Sequence, residues 1–131
     1  MASRNTRQLL SDDTLNRLAL EFEVGFFEAV IRGEPDHIGA LEALGNAYTR
    51  IGRIEDGLRI DRRLVRLLPH NAVAHYNLAC SLSLAGEVEE ALDALERAIR
   101  LGYSDFEYLE RDPDLANVRQ HRRYRVLIRR D

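Results

Sequence analysis

The sequence predicts an all-α fold built as a stack of antiparallel helical hairpins. Three observations predict it. Residues 38–71 and 72–105 align over 34 residues without a gap. Eight pairs are identical in that alignment: Ala40/Ala74, Leu44/Leu78, Gly52/Gly86, Glu55/Glu89, Leu58/Leu92, Arg63/Arg97, Arg66/Arg100 and Leu67/Leu101. Roughly two are expected from composition, so the repeat is real. Within each unit, apolar residues recur at the spacing of one helix face. Glycine and proline then stand at the phases where those runs stop.

Taken in order, residues 1–11 are short and polar and read as a frayed tail. A single domain follows over 12–131. Residues 12–37 supply a partial repeat, one helix from about Asp12 to Arg32 closed by Pro35. Its residues Leu20, Val24, Phe27 and Ile31 are in phase with the repeat and should pack on the helices that follow. In the first full repeat, 38–71, Leu41, Leu44, Ala47 and Tyr48 run up to Gly52. Ile54, Leu58, Leu64, Val65 and Leu68 then run up to Pro69. In the second full repeat, 72–105, Leu78, Leu82 and Ala85 end at Gly86, and Val88, Ala91, Leu92, Leu95 and Ile99 end at Gly102. Glycine there suits a left-handed residue after a helix, with positive φ expected at Gly86. Pro69 cannot continue a helix but suits the start of one. Residues 106–131 form a cap in which Asp112 N-caps a helix beginning at Pro113. About seven helices result.

These residues resemble the tetratricopeptide repeat. Leu44, Gly45, Tyr48 and Pro69 carry the likeness in the first unit, and Leu78, Ala79, Leu82, Ala91, Leu95 and Ala98 in the second. His75, Gly57 and Asp61 depart from the pattern. The ending, from Tyr108 to Leu127, is similar to that of small bacterial proteins of the family. The resemblance implies a short right-handed superhelix whose first helices line a concave groove. It also implies a non-enzymatic protein–protein interaction module, an adaptor, scaffold or chaperone-like protein, with an extended peptide or a helix in that groove. Carried over by phase, the groove residues are Glu42, Ala43, Asn46, Thr49 and Arg50, then Val73, Tyr76, Asn77, Cys80, Ser83 and Leu84. Asparagine suits backbone recognition because its amide both donates and accepts. Tyr76 and Asn77 are expected to matter most, with Asn46 and Arg50 next. Asn46 and Asn77 match two asparagines of the clamp that grips carboxylates in this family. Glu42 stands where that clamp has lysine, which argues against a carboxylate ligand.

Composition narrows the rest. A chain of 131 residues and 15.0 kDa fits one domain. Charged residues are 31% and no apolar run reaches membrane length, so a membrane partner is not expected. Met1 to Asp13 has no apolar stretch and does not read as a secretory signal. The lone Cys80 excludes an intramolecular disulfide and fits a cytoplasmic location. Net charge is -3, and all 19 basic residues are arginine. Arg119, Arg122, Arg123, Arg125, Arg129 and Arg130 gather at the C-terminus. Only Tyr124 interleaves as a stacking aromatic, so nucleic acid is not the expected partner; a solvated cap or an acidic protein surface is.

No catalytic constellation is present. His37, His70, His75 and His121 lack metal-ligand spacing, so neither metal nor cofactor is expected. Cys80 has no base in helical reach and reads as a buried structural thiol. Asp61 falls at a core-facing phase and needs an arginine or backbone partner. Glu23 is a similar misfit. Finally, the first helix is apolar over too wide an arc. A second stripe, containing Leu15, Leu18, Phe22 and Phe26, has no assigned neighbour. A homodimer through it is the alternative reading, that of a self-assembling structural protein.

Overall fold

The computed structural model describes residues 11–129, and every regular element among them is helical. The frayed-tail reading falls, apart from Ser11, outside the described residues, as does Arg130. Helix α1 spans Asp12–Gly33, α2 Ile38–Ile51, α3 Ile54–Leu67, α4 Ala72–Leu84 and α5 Val88–Arg100. The cap holds α6 (Phe106–Leu109), a 3-10 turn (Pro113–Leu115), α7 (Ala116–Arg119) and α8 (Arg122–Leu127). Eight α-helices thus stand among the described residues, against the expected seven or so, because the cap is broken into short pieces.

Local chemistry sets the helix ends. Ser11 belongs to α1 rather than to a tail, since its hydroxyl accepts from the Thr14 N–H at 3.2 Å. His37 Nδ1 caps α2 through the Ala40 N–H at 3.0 Å, and Asn71 Oδ1 caps α4 through Ala74 at 2.9 Å. Gly52, Gly86 and Gly102 have φ of +90°, +83° and +109°. Each lets the next N–H turn back into the helix: Arg53 to Tyr48, Glu87 to Leu82 and Tyr103 to Ala98, all within 2.9 Å. That bond closes the helix end and reverses the chain.

Consecutive helices pack in pairs, α1 on α2, α2 on α3, α3 on α4 and α4 on α5. The larger core lies between α4, α5 and the cap, around the fully buried Leu92, Leu95, Leu109, Leu115 and Val118. A smaller one joins Val24 to Leu44, Ala47 and Tyr48, with Phe27 and Ile31 against it. Gly57 departs from the usual alanine for a reason of space. A Cβ there would stand 3.0 Å from Thr49 Oγ1 and 3.5 Å from the Gly45 carbonyl, so the two glycines let α2 and α3 meet. No helix among the described residues is long and apolar enough to cross a membrane.

Candidate functional site

Helices α2 and α4 supply most of the lining of one cleft, and the cap adds Tyr108, Asp112 and Asp114. Together with α3 they wall this cleft, of about 400 Å³. Of the sequence-predicted groove residues, Glu42, Asn46, Thr49, Tyr76, Asn77 and Cys80 line it. The side chains of Glu42, Asn46 and Asn77 are exposed, and neither asparagine amide has a hydrogen-bond partner among the described residues.

Five of the residues carried over by phase are absent from the cleft lining: Ala43, Arg50, Val73, Ser83 and Leu84. Arg50 faces α1, 3.8 Å from Glu23, which also accounts for the misfit glutamate. Val73 is exposed outside the cleft. Ser83 is fully buried under the cap, where its carbonyl accepts from Asn117 Nδ2 at 2.8 Å. Its phase in the repeat points at the groove only if another full helix follows, and the cap occupies that place.

Tyr76 lines the cleft as its phase predicted, but it is buried there. It forms the floor of the cleft rather than a free contact residue, being only 5% exposed. Its ring stacks on Tyr103 at 4.1 Å, and its hydroxyl donates to Asp112 Oδ2 at 2.5 Å. Asp112 Oδ1 accepts from the Asp114 N–H at 3.0 Å, so one carboxylate caps the 3-10 turn and ties it to α4. Arg119 completes the joint through the Leu109 and Asp112 carbonyls, at 3.0 and 2.7 Å. Arg123 reaches Asp93 at 2.7 Å and Glu96 at 3.1 Å, and His121 reaches Glu89 at 2.7 Å. Arg123 and His121 therefore fasten the cap to α5, while Arg119 ties the cap to itself.

The cleft also holds residues that the repeat pattern did not bring together: Asp61, Leu64, Ser81, Tyr108, Asp112 and Asp114. Asp61 has neither an arginine nor a backbone partner; the Ser81 hydroxyl donates to its Oδ2. Burial pushes its carboxyl up to about 6. Burial, then the charge of Asp112, raises the Asp114 carboxyl. The same Asp112 carboxylate is the main cause of the raised Tyr108 hydroxyl.

Cys80 lies 3.7 Å from Asp112 Oδ2, an acid that helical reach alone did not place there. Burial first, then Asp112 and Asp114, push its thiol far up, away from the thiolate that a nucleophile or soft metal ligand requires. The donor atoms of Cys80, Asp112 and Asp114 lie within 4.8 Å of one another. Asp112 Oδ2 in that group is already engaged by Tyr76. Only the Asp-Pro-Asp cap signature could have flagged the two aspartates, and it speaks of helix capping, not of the cleft.

Comparison with known proteins gives the same picture. Residues 72–104 match the model of the tetratricopeptide repeat. A chloroplastic protein of Arabidopsis thaliana is 32% identical over 88 residues, 65% of this chain and 26% of the relative. "Superkiller protein 3" of Saccharomyces cerevisiae is 34% identical over 74 residues, 56% of this chain and 5% of the relative. "Protein CTR9 homolog" of Arabidopsis thaliana is 36% identical over 72 residues, 55% of this chain and 6% of the relative. The chain thus spans about a quarter or less of the length of these relatives. The repeat match, the gap-free period and the hairpin stack together support a place for this chain among tetratricopeptide repeat proteins.

Proposed function

We propose that the protein is a non-enzymatic interaction module, an adaptor or chaperone-like scaffold, that holds a peptide or helix of a protein partner in the α2–α4 cleft. One observation carries this reading. Asn46 and Asn77 point unpartnered amides into a concave cleft between two first helices of successive hairpins. Such amides match the donor and acceptor of a peptide backbone. Repeats of this family generally mediate protein–protein contacts. The buried Cys80 thiol fits a reducing, cytoplasmic setting. For a partner isolated by pull-down from native lysate, an Asn46→Ala, Asn77→Ala double variant should bind about tenfold or more weakly. Titration of the purified pair measures this. Unchanged affinity with an unchanged helical circular dichroism spectrum would reject the cleft as the site.

The second reading, self-assembly, rests on α1. Phe22 is 77% exposed and Phe26 53%, with Leu15 and Leu18 about half exposed beside them. An apolar stripe of this kind favours association. Wild type is expected to dimerise in sedimentation equilibrium at about 100 μM, above a micromolar dissociation constant. Phe22→Asp, Phe26→Asp should be monomeric there. A monomeric wild type would defeat this reading and leave the cleft untouched.

A further inference from the structure

We infer that the occupant of the cleft is a cationic segment of a partner protein, with an arginine or lysine seated at the Asp112–Asp114 end. The inference rests on the cleft being the binding site. Every charged residue that lines the cleft is an acid: Glu42, Asp61, Asp112 and Asp114. None of the four forms an ion pair among the described residues. Elsewhere several acids are paired, as Asp36 is by Arg63, Glu90 by Arg62 and Asp93 by Arg123, while unpaired ones such as Glu55 and Glu87 stand on the exposed surface.

Two of the cleft acids are deeply set, Asp61 at 7% and Asp112 at 3% exposure. A buried carboxylate without a counter-charge is unfavourable. Asp112 is satisfied by hydrogen bonds from Tyr76 and its own turn. Asp61 is not: Ser81 serves Oδ2, and Oδ1 has no partner where it borders the cleft. The site therefore has negative charge without positive, and at Asp61 an acceptor without a donor. A guanidinium brings five donors and a fixed positive charge in a planar fork. Tyr108, 41% exposed at the rim, offers a ring face for its stem. Arg111 stands over that ring at 5.8 Å and pairs with none of the four acids. An acidic ligand would meet four carboxylates and no cation.

The test uses the full chain and three labelled peptides of one sequence, with arginine, glutamine or glutamate at the same positions. Fluorescence anisotropy should show the arginine peptide binding about tenfold or more tightly than the glutamine one. Asp114→Asn and Glu42→Gln, neither of which holds the fold, should each weaken it severalfold. Glu55→Gln, Glu87→Gln, on the opposite α3–α5 face, should leave it unchanged. Equal binding of all three peptides, lost in Asn46→Ala, Asn77→Ala, would overturn the cationic occupant while keeping the cleft. Arginine-peptide binding that ignores Asp114→Asn and Glu42→Gln would overturn it too, as would no binding of any peptide. The cleft itself is judged by the native-partner titration above. Self-association abolished by Asp114→Asn would replace the partner by a second copy and likewise overturn the proposal.

Discussion

Asp61→Asn is expected to stabilise the fold at pH 7 by up to about 3 kcal/mol, the free energy of a shift of this size. The amide keeps an oxygen for the Ser81 hydroxyl and carries no charge into the interior. Burial raises the Asp61 carboxyl from 3.8 to about 6, so the folded state binds this proton more tightly than the unfolded chain. Between those two values stability contributed by Asp61 falls as pH rises. Its unfavourable term is absent below about pH 4 and complete above about pH 7. The advantage of the variant should accordingly shrink to near zero at pH 4. Other carboxylates behave oppositely. Asp56, held low chiefly by its hydrogen bond from Arg53, loses that stabilisation in acid, but equally in both proteins. Urea unfolding of wild type and variant at the two pH values isolates Asp61. A gap of the same size at both would refute the assignment. The same substitution should weaken the arginine peptide, since it removes an unpaired acceptor at the cleft floor. A group kept for binding at a loss of stability is a common trade.

Tyr76→Ala should destabilise the protein by about 4 kcal/mol, in the range of aromatic truncations in cores. The ring is buried and stacked on Tyr103, and the hydroxyl serves a carboxylate that caps the next segment. Tyr76→Phe keeps the stack and leaves Asp112 Oδ2 only the weak Cys80 donor, so about 1–2 kcal/mol is expected. Denaturation midpoints with near-ultraviolet circular dichroism measure both. A loss below about 1 kcal/mol for Tyr76→Ala would show that the cap does not depend on this joint. Lost partner binding in a Tyr76 variant therefore cannot be assigned to a direct contact, whereas Asn77 remains free to report one.

At the level of hairpins the sequence is explicit. The 34-residue period, the stops at Gly52, Gly86 and Gly102, and the Asp112–Pro113 cap all describe contacts within a few residues. Helix hydrogen bonds, caps and left-handed glycines are short-range, so their signals lie side by side in the chain. The apolar excess of α1 was equally legible, because a helix face is a local property. Phase arithmetic failed at Ser83. It assumes that the next element is another full helix, whereas the cap packs against this end of α4 and buries Ser83.

Nothing local marks the cleft acids. Glu42, Asp61, Asp112 and Asp114 come from α2, α3 and the cap, and each alone reads as a surface charge, a misfit or a capping residue. Asp61 shows the difference most clearly. Its phase announced burial and the need for a partner, but the choice of the Ser81 hydroxyl over an arginine depended on how α3 settles against α4. The sequence by itself determined the helices of the repeats, their ends and their order, because those follow from short-range hydrogen bonding and one-dimensional periodicity, but not the broken pieces of the cap. Only the tertiary structure decided which charges share a cavity without a counter-ion, because electrostatic fields act through space between side chains far apart in the chain.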